Sequence, residues 1–108
     1  MSVQPVILGK RASQDVDDAI AYYLHEGGEH VALSLVDALQ DAYTLLGRHP
    51  AIGTSRYAHE LSVPGLRSWA LPRFPYTILY LDHESHVAVV RVLHSHRDIP
   101  AVMRESPE

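Results

Sequence analysis

The chain has 108 residues, with 13 acidic against 9 basic side chains, 8 histidines outside a net charge of −4, and no cysteine. That length predicts one domain over residues 1–108 with a single core, and 46% hydrophobic against 20% charged residues excludes a disordered chain. The lack of cysteine excludes disulfide scaffolds and thiolate zinc sites and fits a reducing cytoplasm. No apolar run approaches the roughly 20 residues of a membrane span, and Met1-Ser2-Val3-Gln4-Pro5 lacks the charged region and cleavage site of a signal peptide.

Val6-Ile7-Leu8, ended by Gly9, has the length of one strand. From about residue 12 the period becomes helical, with Ala12, Val16, Ala19, Ile20, Tyr23 and Leu24 on one stripe. Ser13 is placed to cap this helix, and Asp15, Asp17 and Asp18 to complement the dipole of its first turns. Gly27-Gly28 ends it, and a second stripe runs through Ala32, Leu35, Val36, Leu39, Ala42, Tyr43 and Leu46, closed by Gly47 and Pro50. The two stripes predict an antiparallel helical hairpin.

Residues 47 to 65 read as a long connection, of a length that suggests function. The period then falls to two. Leu66 to Leu71 is a strand stopped by Pro72-Arg73-Phe74-Pro75. Tyr76 to Leu81 is a second, with Tyr76, Ile78 and Tyr80 on one face and Thr77, Leu79 and Leu81 on the other. After a turn at Asp82-His83-Glu84-Ser85, the apolar run Val87 to Leu93 predicts a central strand. Asp98 is placed to cap a short final helix through Met103, with Pro100 in its first turn. This order is α+β: an N-terminal strand, a helical hairpin, a three-stranded antiparallel meander completing one sheet, and a short C-terminal helix.

Lys10 is the only lysine, the remaining bases being arginine. A mildly acidic chain is a poor binder of nucleic acid through bulk charge, so no direct nucleic-acid contact is expected. Arginine favours bidentate recognition of carboxylates or phosphates at particular points, and with the acidic balance this leans towards a protein partner. No Gly-x-Ser-x-Gly elbow or Gly-rich phosphate loop occurs. His94 and His96 would share a face on a strand, as metal ligands do, but without a third ligand a strand-end backbone hydrogen bond is the better reading. The remaining histidines fall at helix ends, loops or turns, Tyr23 and Tyr43 on core stripes, and Tyr76 and Tyr80 on a strand face.

Five segments carry a family likeness: Ala12 to Tyr23, His49-Pro50-x-x-Gly53, Pro64-Gly65-Leu66-Arg67, Phe74-Pro75-Tyr76-x-Ile78-x-Tyr80, and Arg91-Val92-Leu93-His94-x-x-Arg97-Asp98. Together they resemble the RelE/ParE superfamily of toxins from bacterial toxin–antitoxin pairs, and the ParE branch in particular. The resemblance implies a cytoplasmic type II toxin that arrests growth by poisoning DNA gyrase through protein contact, in systems associated with plasmid maintenance. It implies a ParD-like antitoxin joined in a hetero-oligomer, with no cofactor, metal or membrane. Two alternatives stand beside it: a degenerate, non-toxic member serving mainly in the antitoxin complex, and a RelE-type relative, which instead cleaves messenger RNA on the ribosome. RelE-type nucleases place an Arg where this chain has Thr77 and use lysines that its second half lacks, which weakens the nuclease reading; Glu60, Arg67 and His94 remain the set such a nuclease would use. For the ParE-like reading, Arg67, Tyr80, Arg91 and Arg97 are the expected grip on an acidic antitoxin tail. Arg91 has an alternative, a pairing with an internal carboxylate such as Asp98. His94, His96, Arg97 and Met103 are the expected target-facing surface.

Overall fold

Four strands, β1 (Val6–Leu8), β2 (Leu66–Ala70), β3 (Tyr76–Asp82) and β4 (Val87–His94), form one sheet in the order β1-β4-β3-β2 in a computed structural model that describes residues 3–105. Met1 and Ser2, which open the stretch read as lacking a leader, and the last three residues of the expected domain lie outside the described residues. β2, β3 and β4 are the expected antiparallel meander. β1 pairs parallel with β4, which makes β4 central, as its apolar composition predicts.

Between β1 and β2 runs a long helix, α1 (Lys10–Arg48). Its 39 residues would reach roughly 58 Å if straight, but the molecule measures 38 Å along its longest axis. The reversal occurs at Gly28, whose φ of 83° and ψ of 177° leave the helical region for one that a side chain resists. The result is the predicted hairpin, with arms over 10–27 and 29–48. Its far end returns to the N-terminus, where Gln4 N–H donates to Gly47 O at 2.8 Å.

Four local expectations are corrected. The first arm starts at Lys10, because β1 passes directly into it through Gly9, whose N–H is held by Val89 O. Ser13 is therefore inside the helix, and no acid falls in its first turn. Leu24 is 52% exposed, since the stripe has left the sheet by that point. Gly47 lies within the helix, buried beside Gln4, and does not end it. The connection over 47–65 contains a short helix, α2 (Arg56–Leu61), and a bridge from Thr54 to Ser68. The C-terminal helix α3 (Ile99–Glu105) is capped as predicted, with Asp98 Oδ1 accepting the Ala101 N–H at 3.2 Å, and runs two residues past Met103.

Both faces of the sheet carry a core, so there are two where the chain length predicts one. Ile78, Tyr80, Val89 and Val92 pack against Ala12, Ala19, Leu35, Leu39 and Leu46 of the hairpin. Leu66, Leu79 and Leu93 pack against Ile99, with Tyr57, Leu61 and Met103 around them. Alternate residues of β3 thus serve different cores, as period two predicts. Each such Leu, Ile or Val contributes about 1.5–3 kcal/mol by leaving water.

A single carboxylate ties the hairpin to the sheet where strand pairing stops. β1 covers only residues 87–89 of β4. A bulge follows: Arg91 lies opposite Leu79 and Val89 opposite Tyr80, so Val90 is the extra residue. Just past it, Asp15 Oδ2 accepts the Arg91 Nε–H at 2.7 Å and the Val92 N–H at 3.0 Å, while Oδ1 accepts Arg91 Nη2–H at 3.0 Å. The two side chains are only 6% and 12% exposed. These hydrogen bonds hold the Arg91 guanidinium above its ordinary pKa against the opposing effect of burial. The internal carboxylate partner of Arg91 is therefore Asp15, Asp98 being engaged at the cap of α3.

Removing one member of a buried pair strands the other, so Asp15→Ala should lower stability by about 3–5 kcal/mol in urea unfolding. Asp15→Asn, which keeps an acceptor for Val92, should cost less. Tyr43 offers a second test. Its buried hydroxyl has no hydrogen-bond partner among the described residues, and burial pushes its pKa from 10 up to about 12. The folded state favours the neutral phenol, so this stabilisation is complete below pH 10 and is lost as pH rises towards 12. Tyr43→Phe should leave stability at pH 7 unchanged or raised by about 1 kcal/mol and should flatten its alkaline decline.

Candidate functional site

A cleft of about 220 Å³ opens between the first arm of α1 and the C-terminal half of β4. The helix supplies Asp15, Asp18, Ala19 and Tyr22; Tyr76 comes from β3, His94 from the end of β4 and Arg97 from the turn beyond. Period two on β3 and β4 puts Tyr76 directly across from His94. Their rings meet edge to face at 5.4 Å, and Tyr76 continues through Tyr23 (6.2 Å) to Phe74 (5.3 Å). Burial raises the pKa of Tyr23 and of Tyr76, keeping both phenols neutral.

The C-terminal wall is held by short bonds. Ser95 N–H donates to Pro75 O at 2.7 Å, Arg97 N–H to His94 O at 3.1 Å, and the Thr77 and Ser95 hydroxyls bond at 2.8 Å. His94 Nδ1 accepts the His96 N–H at 3.2 Å, the strand-end backbone bond expected there. His96 lies in the turn, past the strand on which the two rings would have shared a face, and is exposed. Among the described residues no three His, Asp or Glu side chains are grouped to hold a metal ion. The cleft has Asp15 and Asp18 on one wall, Asp15 being engaged by Arg91, and His94 and Arg97 on the other.

The other expected site residues lie elsewhere. Tyr80 is fully buried; its hydroxyl donates to Pro50 O at 2.7 Å and accepts the Gly53 N–H at 2.9 Å. Burial is the main reason its pKa is raised, with the Gly53 bond and Arg67 acting against it. Arg67, directly across from Tyr80, donates from Nη1 to Gly53 O at 2.9 Å and Ala51 O at 3.2 Å. Arg67 and Tyr80 together pin the loop before α2, and Arg91 is held by Asp15. Of the expected antitoxin grip only Arg97 stands exposed, because the other three lie on strands whose side chains are drawn into the fold. The nuclease set is not brought together either. Glu60 is exposed on α2, and Arg67 and His94 pair with positions four residues apart on β3, about 13 Å along the strand.

Asp15 is the residue of this cleft that went unrecognised beforehand. The available signal was an acid flanking the Ala12–Ala19 stripe, set against the lone charge in the apolar run Val87 to Leu93.

Residues 6–99 match the family of ParE toxins of type II toxin–antitoxin systems, parDE. The fold is similar to a chain of the chromosomal ParDE TA system from P. aeruginosa, with 21% sequence identity, a TM-score of 0.70, and 85% of this chain and 96% of that chain covered. No curated protein matches the sequence. Among the described residues no helix is long and apolar enough to cross a membrane.

Tyr80→Phe should leave the Gly53 N–H and Pro50 O without their partner, costing about 1–3 kcal/mol. Limited proteolysis should then cut the loop over 50–54 first, ahead of any cleavage in the hairpin.

Proposed function

We propose that this chain, which belongs to the ParE toxin family of type II toxin–antitoxin systems, acts in the cytoplasm by binding DNA gyrase and is neutralised by a ParD-like antitoxin. The target surface is the stretch from His94 to Met103. His96 and Arg97 are exposed there, and His94 and Met103 are half-buried. The poison would act by occupying a protein surface, with no bond made or broken by its own side chains.

The observation that carries this reading is the engagement of the groups an RNA-cleaving relative would aim at a phosphate. RNA cleavage needs cations on the scissile phosphate, with a base and an acid at the reacting oxygens. Arg67 donates instead to two loop carbonyls. Thr77, at the position of the RelE-type arginine, is 7% exposed and bonded to Ser95. Beside His94 and Arg97 stands Asp18, whose carboxylate repels a nucleic-acid backbone, while the charge of Asp15 is met by Arg91.

The test is gyrase supercoiling with the purified protein. Supercoiling should be inhibited, Arg97→Glu should weaken inhibition at least tenfold without changing the unfolding temperature, and expression should arrest growth with filamentation. Normal supercoiling, together with rapid loss of translated messages that Arg67→Ala or His94→Ala abolishes, would assign the protein to the RelE-type nucleases.

A further inference from the structure

The cleft between the first arm of α1 and the end of β4 contains an acceptor that no cation of the described residues fills. Asp15, Asp18, Ala19 and Tyr22 recur at helical spacing and line its α1 wall. The two acids of this stripe are in different states. Asp15 already holds a guanidinium, that of Arg91, through Nε at 2.7 Å and Nη2 at 3.0 Å. Asp18, one turn further on, is exposed and has no cationic partner among the described residues. Gln14 Nε2–H donates to its Oδ1 at 2.8 Å, a neutral contact that orients the carboxylate and leaves Oδ2 free.

Two aromatic rings stand beside Asp18. Tyr22 is four residues on, a neighbour on the same face, and is 57% exposed. Its ring is not loose: it meets Tyr23 edge to face at 5.1 Å, and Tyr23 is packed in turn against Phe74 and Tyr76. Tyr76, half-buried, lines the same cleft. A free carboxylate next to aromatic rings attracts a guanidinium, which pairs with the acid through its N–H groups and stacks on a ring through its flat face. An ammonium is a compact, strongly hydrated charge and gains less from either. The cleft, at about 220 Å³, has the volume of about seven waters, room for one long side chain. Across it Arg97 is exposed. That opposite sign on the far wall suits a segment of mixed charge and works against a polycation.

We propose that this cleft is a pocket for one arginine side chain of the target protein, with its guanidinium on Asp18 Oδ2 and against the ring of Tyr22, and with Arg97 meeting a carboxylate of the same segment. The assignment rests on the target reading above and adds the chemistry that the target must present. The pocket repeats between two proteins what Asp15 and Arg91 do within one. Of two carboxylates three residues apart on a single stripe, one is filled from β4 and the other is left for a partner. Because Arg91 neutralises Asp15, the α1 wall holds one uncompensated acid and not two, and that acid selects for a single cation.

The test titrates the full-length chain with N-acetyl-arginine amide, followed by NMR. Resonances of Asp18, Tyr22 and Tyr76 should shift. The lysine amide should bind about threefold more weakly or worse, and the citrulline amide, similar in shape but uncharged, should leave the spectrum unchanged. Asp18→Asn should abolish the shifts and Tyr22→Leu should weaken binding about threefold, both at the wild-type unfolding temperature. Asp17→Asn, at the exposed neighbour outside the cleft, should change nothing. In the supercoiling assay Asp18→Asn should weaken inhibition roughly tenfold. An arginine amide that shifts nothing, or a citrulline amide that shifts the same residues, would overturn the pocket. Full inhibition by Asp18→Asn would overturn its use on the target and leave the gyrase reading standing. Wild-type protein that binds the amide yet leaves gyrase uninhibited would uphold the pocket, for a different protein target, and sink the gyrase reading.

Discussion

The Asp15 carboxylate accepts hydrogen bonds from two consecutive residues of β4, and the hairpin's position on the sheet depends on it. A three-residue edge strand leaves the rest of β4 with unsatisfied backbone on its outer side, an invitation to wrong pairing. Covering the edge with a helix requires that something on the helix replace the missing strand. An ionised side chain that accepts a backbone N–H while fixing a guanidinium does both. The bulge at Val90 belongs to the same solution, because one extra residue changes which N–H faces outward beyond it. The arrangement also forms one wall of the cleft at Tyr22, Tyr76 and His94, so the interaction that closes the sheet shapes the candidate target surface.

The sheet has two faces of different chemistry, and the division follows from alternation along β3 and β4. One face is closed by the hairpin over the larger core. The other is closed only in part, by two short helices, and leaves Ile7 of β1 exposed. The uncovered part of this face is the remainder of a core that the chain has too few elements to finish.

Most of the fold was legible because its signals are periodic. The strand limits fall within a residue or two of where alternation and turn residues place them, and the Asp98 cap was legible from residue type alone. The helix α2 escaped notice for a physical reason: six residues with none fully buried form no stripe. The site was less legible than the fold. Arg67, Tyr80 and Arg91 are of the types that grip partners, and whether a strand residue turns outward or into a neighbouring loop depends on tertiary contacts at sequence separations of 14 to 76 residues.

Val6 pairs with Val87, and Asp15 bonds Arg91 76 residues later. The first strand and the first helical arm therefore leave the ribosome long before the strand that completes them, and contacts this distant in sequence form late. The central strand is the last strand made, so neither core can close until nearly the whole chain has been synthesised. The helical hairpin and the β2–β3 pair can form on a nascent chain, but the sheet that joins them waits for the last strand to emerge.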